Sequence, residues 1–338
     1  MITYAIDQET QETSKQRFIK LLKAEGQLQR QLFQEARAIR RSSGLDEVML
    51  RGVIEISNHC QKQCDYCAMR CTQKRIERYR LSRETILDIV AHIKEAKIST
   101  VFLQSGQDPH IEPILQDVIP EIKQNLKLNV LLCLGEKKSK EIYQHYKELG
   151  ADSYILKFET SDSALYQEIT YSPLAPRLKC IQWIKEAGLQ LGTGNIVGLP
   201  NQSFDSLIED IDLAIKLQPD FVSSAPFMPN NGTPFEHLPY GDLNLTLNTM
   251  ALWRIALGDC LIPAVSALEK IEPDGQLMGL QAGANVITVN FTPPASRAKY
   301  SIYSKDRFVV SLEHALRTIE RAGLRVHASS NDKINPQS

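Results

Sequence analysis

The sequence predicts an α/β chain folded as a (β/α)8 TIM barrel with an N-terminal helical extension. Three observations carry that prediction. From Arg51 onward, short β-branched runs alternate with amphipathic helical patterns, the signature of β-α-β units and a parallel sheet. Eight such runs fit within about 240 residues, the number and length that close a barrel. No linker rich in Pro, Gly or Ser and no short repeat interrupts the region. A doubly wound open sheet shares this alternation and stays open on pattern alone.

The composition sets the outer limits. The 338 residues are 43% hydrophobic, enough for a sizeable core in one large or two ordinary domains. A total of 39 Lys and Arg against 40 Asp and Glu leaves a net charge of −1, which argues against a nucleic-acid or acidic-membrane partner. The segment Met1 to Asp7 has no basic region followed by an apolar run, so no signal peptide is expected. No stretch approaches the roughly 18 apolar residues of a membrane span. Seven cysteines, an odd number with three packed into one loop, fit thiolate chemistry in a reducing cytoplasm rather than a disulfide framework.

In chain order, residues 12–43 carry Phe18, Leu21, Leu22, Leu28, Leu32, Ala36 and Ile39 at helical spacing, as one long helix or two. Residues 1–48 therefore form the helical extension, and 49–338 the barrel with its C-terminal tail. Strands are expected at 51–57, 99–104, 127–134, 152–158, 189–197, 220–226, 261–266 and 284–290. Between them, Ser82 caps a helix bearing Ile86, Ile89, Val90 and Ile93. A second helix carries Ile142, Tyr143, Tyr146 and Leu149 and closes at Gly150. A third carries Leu207, Ile208, Ile211 and Ile215 before Pro219.

The first strand runs into Cys60-x3-Cys64-x2-Cys67, with Tyr66 just before the last cysteine. Three thiolates on one short loop can hold three irons of a [4Fe–4S] cube and leave the fourth iron open. The loop sits at a strand's C-terminal end, where barrels place their chemistry. A structural zinc site would need a second ligand pair, and none follows. Other strand ends carry candidates. Gly106, after Ser105, permits close approach of backbone to a ligand, or serves an ordinary turn capped by Asp108. Glu159 can accept from a ribose hydroxyl or an ammonium group, or make a surface ion pair. Arg177 offers a fork for a carboxylate, or lies on the surface. Gly192-Thr193-Gly194-Asn195-Ile196-Val197-Gly198 is not a dinucleotide fingerprint, because no helix opens inside it.

The cysteine spacing resembles the radical S-adenosylmethionine (SAM) superfamily. In that superfamily the three cysteines hold the cube, SAM chelates the open iron, and an electron from the cluster cleaves SAM to methionine and a 5′-deoxyadenosyl radical. Further motifs narrow the resemblance to the biotin synthase-like branch, nearest the [FeFe]-hydrogenase maturase family HydE. They include Arg78-Tyr79-Arg80-Leu81, Leu103 to Pro109, Leu134-Gly135-Glu136, Glu159-Thr160, Val197 to Pro200, Gly232-Thr233-Pro234, Ile262-Pro263-Ala264 and Gly283 to Ile287, in order over about residues 50 to 305. The resemblance implies that Cys60, Cys64 and Cys67 hold the cluster. It implies that Ser105, Gly106, Glu159 and Arg177 contact SAM, with Tyr66 near the adenine. It also implies a reductant such as flavodoxin or ferredoxin.

Departures accompany the likeness. The maturase pattern has Arg-His before Glu-Thr, where this chain has Lys157-Phe158. Cys71 extends the motif as in methylornithine synthase, yet Val222 to Ala225 and Val265 to Ala267 lack that family's arginine and aspartate. An amino acid's free charges would be unpaired there, so a mostly uncharged ligand, a small organometallic or thiol-derived one, is expected. Its pocket is expected to draw on Leu134, Phe227, Met228, Ser266 and Phe291, with Tyr300 and Tyr303 near the mouth. Cys180 and Cys260 read as core thiols. Cys133 is a core thiol or faces the lumen, and Cys71 is a spare thiol or lines the cluster loop. No convergent second set of cysteines is evident, so a single cluster is expected, unlike the sulfur-inserting biotin synthases. A non-catalytic iron–sulfur carrier would need none of the residues at the other strand ends.

Overall fold

The computed structural model of the chain describes residues 14–302 and 306–328. Helices α1 (Ser14–Leu22) and α2 (Gly26–Ser42) lead into β1 (Glu47–Ser57). There follow α3 (Arg83–Glu95), β2 (Thr100–Ser105), α4 (Glu112–Pro120), β3 (Asn129–Cys133), α5 (Lys140–Leu149) and β4 (Ser153–Ile155). Helices α6 (Ser163–Thr170) and α7 (Leu174–Glu186) precede β5 (Gln190–Val197), α8 (Phe204–Leu217) and β6 (Phe221–Pro226). Next come α9 (Leu243–Leu257), α10 (Ser266–Ile271), α11 (Gly275–Gln281) and β7 (Val286–Asn290). The chain ends with α12 (Pro294–Arg297), α13 (Leu312–Arg321) and β8 (Arg325–Val326).

Among the described residues the strands pair in parallel in the order β6-β5-β4-β3-β2-β1-β7. The two ends of that path meet through residues 261–264. Leu261 bridges Phe221 and Pro263 bridges Val286, both in parallel. Val222 N donates to Leu261 O at 2.9 Å, and Ala264 N donates to Val286 O at 2.9 Å. The ring is thus closed, as the sequence predicts, but the expected strand 261–266 is reduced to bridges. Pro263 has no N–H to give a ladder, and Ser266 already opens α10. The expected strand 152–158 is likewise cut to Ser153–Ile155. Beyond it, Leu156 O accepts from Thr193 Oγ1 at 2.9 Å and Lys157 O from Arg177 Nη1 at 3.1 Å, so side chains take these carbonyls from the ladder until Glu159 bridges Asn195. β8 pairs with the start of β1 outside the ring and has no counterpart among the predicted strands.

Strand alternation sorts side chains between two environments. Ile54, Ile56, Val101, Leu103, Val130 and Leu132 are buried under the helices. Their neighbours Arg51, Val53, Glu55, Phe102, Gln104 and Cys133 face the lumen. The helix signals hold: Ser82 Oγ accepts from Thr85 N at 3.2 Å, and Gly150 closes α5 at φ 109°. The N-terminal pattern resolves into two helices that share the main core through Leu22, Leu32 and Ala36. Arg40, only 2% exposed, donates from α2 to the carbonyls of Leu280 and Ala284 at 2.8 and 3.0 Å, just ahead of β7.

Gly194 is a packing constraint. Its φ is 150°, and an added Cβ would lie 1.9 Å from Ser223 O on β6. Gly194→Ala is expected to destabilise the protein by about 2 kcal/mol or more, because backbone rather than a flexible side chain must move. An unchanged denaturant midpoint would contradict this close crossing of β5 and β6.

Candidate active site

The C-terminal strand ends enclose a cavity of about 350 Å³ that continues into the lumen. Cys60, Cys64 and Cys67 line it together with Tyr66, Ser105, Glu159 and Arg177. The cysteine loop has little regular structure, so its backbone needs partners from elsewhere. Arg78 Nη1 donates to Asn58 O and Met69 O at 2.5 and 2.9 Å, and Nη2 to Arg70 O and Gln73 O at 2.8 and 3.1 Å. Asp108 accepts from Ser57 Oγ at 2.6 Å and from Arg80 Nε and Nη2 at 2.6 and 2.9 Å, joining β1 to the β2 turn. Asp108 thus does more than cap a turn. Gly106 is not on the cavity wall; a Cβ there would meet His59 O at 2.3 Å and Cys60 Cβ at 2.8 Å. Its lack of a side chain serves the close passage of two loops.

An unbroken chain of polar contacts crosses the cavity mouth. Lys62 Nζ lies 2.8 Å from Glu136 Oε2, and Glu136 Oε1 lies 3.0 Å from Arg177 Nε. Arg177 Nη1 donates to Lys157 O at 3.1 Å, and Lys157 Nζ is 3.2 Å from Glu159 Oε2. Arg177 Nε also donates to Tyr166 Oη at 2.5 Å. Burial alone would raise the Glu136 carboxyl, but Arg177 and then Lys62 hold it below its ordinary range. Arg177 is 7% exposed, so the surface reading is excluded. Lys62 and Tyr166 carry no site signal in the sequence, and Glu136 enters there only within the Leu134-Gly135-Glu136 motif. Their signal is spatial, since they come from the cysteine loop, the β3 end and α6.

The lumen below is polar. Arg51 is 2% exposed, and among the described residues its Nε and Nη2 have no hydrogen-bond partner. Its guanidinium lies 4.4 Å from the Phe221 ring centroid, and burial pushes its pKa down to about 9. Tyr300 Oη is likewise buried with no partner among the described residues. Glu55 is held by Arg307, with Nη2 donating to Oε2 at 2.6 Å, and by Asn290 Nδ2 at 3.0 Å. Phe227, Met228, Ser266 and Tyr300 line the cavity. Leu134 does not; it follows lumen-facing Cys133, so alternation turns it into the main core. Phe291 follows lumen-facing Asn290 and packs against the same core. Tyr303 lies outside the described residues. The expectation of a mostly uncharged ligand draws on the neutral stretches 222–225 and 265–267, and the cavity wall as a whole is not neutral. Ser223, Ala225 and Ser266 are neutral, but Arg51, Glu55, Lys157 and Arg307 also line the wall.

The remaining thiols are dispersed. Cys133 faces the lumen, where burial pushes its thiol up to about 12. Cys180 Sγ contacts Lys137 O at 3.4 Å, and Cys260 Sγ contacts Pro219 O at 3.3 Å, both buried. Cys71 is exposed.

The profile of the radical SAM superfamily matches residues 54–214. Over 274 residues the chain is 39% identical to the [FeFe] hydrogenase maturase subunit HydE of Thermotoga maritima, covering 80% of this chain and 78% of that one. The chain belongs to the radical SAM superfamily. It is 31% identical over 271 residues to 3-methylornithine synthase of Methanosarcina acetivorans, covering 79% of this chain and 76% of the relative. A crystal structure of methylornithine synthase (PylB) superposes with a TM-score of 0.82 at 26% identity, covering 95% of each chain. The chain is therefore an enzyme whose cofactors are a [4Fe–4S] cluster and SAM.

The residues fit those groups. Among the described residues no three His, Cys, Asp or Glu side chains converge closely enough to chelate a single ion. Three thiols facing one cavity from a loop instead suit a cluster that binds each cysteine to a different iron. Burial pushes the Cys64 thiol up to about 11 and Cys67 higher still. Both must lose protons on binding iron. Ala at position 60, 64 or 67 is expected to abolish or damage the cluster, read as iron and acid-labile sulfide after anaerobic reconstitution. Cys71→Ala should keep about four irons per chain. The reverse pattern, with Cys67→Ala retaining the cluster and Cys71→Ala losing it, would reassign the triad.

Proposed function

We propose that this enzyme reductively cleaves SAM and applies the radical so formed to a small substrate inside the barrel, in a role like that of HydE in [FeFe]-hydrogenase cofactor maturation. One observation carries the reading: the cysteine loop and the polar lumen share a single cavity. When bound, the cluster and SAM supply the radical chemistry. The protein's part is recognition and enclosure. Arg177 presents its fork to the SAM carboxylate, Glu159 accepts from its ammonium or ribose, Ser105 lies at the cluster side, and Tyr66 flanks the adenine. A low-potential reductant such as flavodoxin or ferredoxin supplies the electron, and a reducing cytoplasm is the setting.

The lumen argues for the substrate's chemistry. Among the described residues the Arg51 Nε and Nη2, donors only, have no partner, so the substrate brings acceptor atoms to the barrel floor. An organometallic or thiol-derived compound with an acceptor-rich end meets that demand. No helix among the described residues is long and apolar enough to cross a membrane.

The test is anaerobic incubation of the reduced, reconstituted protein with SAM, assayed for 5′-deoxyadenosine. No cleavage would overturn the radical reading. Cleavage without restoration of hydrogenase activity in a host lacking its own HydE would overturn only the maturase role. Arg177→Ala is expected to weaken SAM binding at least about tenfold while leaving the cluster, since a charge-assisted hydrogen bond contributes about 1.5–3 kcal/mol. Unchanged affinity would remove Arg177 from the site.

Arg51→Met has a distinctive expected signature. Removing a buried, unpaired charge should leave the denaturant midpoint unchanged or higher. SAM cleavage without substrate should persist, and maturation in the host should fail. Full maturation by this variant would sink the floor's role in substrate recognition.

A further inference from the structure

Outside the barrel wall, behind Glu159, lies a polar network that the cavity does not explain. Asp210 of α8 is fully buried. Its Oδ1 accepts from Ser161 N at 2.6 Å and Ser161 Oγ at 2.7 Å, and its Oδ2 accepts from Asn195 Nδ2 at 2.7 Å. Asn195, on β5, in turn accepts from Ser224 Oγ of β6 at 2.8 Å through Oδ1. All three side chains on the strands and helix are buried to 1% exposure or less. The network therefore ties α8, β5 and β6 to residue 161, two positions after Glu159.

Glu159 needs such a tie. Its left-handed φ of 67° is uncommon for a residue with a side chain and persists only where the surroundings over-determine it. Backbone bonds hold it on one side: Glu159 N donates to Gly194 O at 3.0 Å, and Ile196 N donates to Glu159 O at 2.8 Å. Those bonds fix Glu159 to the two residues flanking Asn195. Asp210 fixes Asn195 and Ser161 together, so the turn is gripped both at its peptide and just beyond it. A carboxylate buried at this depth is costly, and burial raises its pKa to about 6. An apolar pair would pack there without that cost.

We propose that Asp210 is a positioning residue for the SAM site, holding the Glu159 turn in its left-handed conformation through Ser161 and Asn195. The proposal rests on the reading of Glu159 as a SAM contact. It acts at a distance from SAM, and its currency is hydrogen-bond polarity: Asp210 is acceptor only, Ser161 offers two donors, and Asn195 offers one donor and one acceptor.

That polarity provides the test. Asp210→Asn places an NH2 group where an acceptor is required. Exchanging the two residues, Asp210→Asn with Asn195→Asp, restores each pairing: Asn at 210 accepts both Ser161 donors and donates to Asp at 195, which also accepts from Ser224. SAM affinity would be measured by equilibrium dialysis on reconstituted protein, with iron content and circular dichroism recorded alongside. The single variant is expected to bind SAM on the order of tenfold more weakly with its iron retained. The exchanged double variant is expected to recover to within about threefold. Should Asp210→Asn fail to fold, the exchange and the milder Ser161→Ala, expected to lose a few-fold, decide the matter.

Wild-type affinity in Asp210→Asn, or a folded exchange variant that does not recover, would overturn the proposal. Glu159→Gln separates the two levels. If it leaves SAM affinity intact, the reading of Glu159 is wrong. If it weakens SAM while Asp210→Asn does not, only the positioning role fails.

Discussion

The guanidinium of Arg78 is the contact on which the cofactor end of the barrel depends. It donates to four carbonyls, those of Asn58, Met69, Arg70 and Gln73, across the loop that carries the cysteines. Residues 58–79 form no helix or strand, so they cannot satisfy their backbone through a regular ladder. A planar fork with several donors can gather such scattered acceptors in a way a lysine cannot. Around it, Asn230 Nδ2 donates to Tyr66 O at 2.8 Å and Met228 O at 3.0 Å, tying the cysteine loop to the β6 end. The three thiols owe their common orientation to these side-chain contacts.

The same division of labour runs through the barrel. The outward strand positions are aliphatic and hold the helices by burial. The inward positions carry Arg51, Glu55, Gln104, Cys133 and Lys157, a set that would be destabilising in an ordinary core. Some of that set is neutralised internally, as Glu55 is by Arg307, and Lys157 by Glu159. Arg51 is not. Stability thus comes from the shell between sheet and helices, which leaves the lumen free to carry chemistry.

Much of this was legible in the sequence. The strand and helix alternation, the caps at Ser82 and Gly150, and the cysteine loop at the end of the first strand are local signals, and the structure places all of them as read. The losses have a common physical cause. Leu134 and Phe291 were assigned to the pocket by position near a strand end, whereas the two-residue period decides which side a side chain faces. Each is off by one residue from the lumen-facing Cys133 and Asn290. The irregular elements, 152–158 and 261–266, depend on side chains of Thr193 and Arg177 that take the carbonyls of Leu156 and Lys157 and on Pro263 within a closing ring. The charged arc of Lys62, Glu136 and Arg177 joins two loops and helix α7, and no spacing in the chain marks it.

A last consequence concerns how the cavity treats charge. At its mouth the ionic groups alternate in sign, cation then anion from Lys62 to Glu136 to Arg177, with Lys157 and Glu159 beyond. Neighbouring opposite charges lower one another's desolvation cost and hold long side chains in one rotamer each. A zwitterion with its own ammonium and carboxylate can slot into such an array by exchanging partners. The floor is different in kind. Arg51 has an aromatic face at 4.4 Å and, among the described residues, no partner for its Nε and Nη2, and in a medium of low dielectric its charge acts over a longer range than the paired groups above. The barrel thus presents two polarities along its axis, a balanced one at the cysteine loop and a net cationic one at the floor. On the function proposed above, a small molecule with an electron-rich end would be drawn past the first toward the second, separating the place where the radical forms from the place where the substrate is anchored.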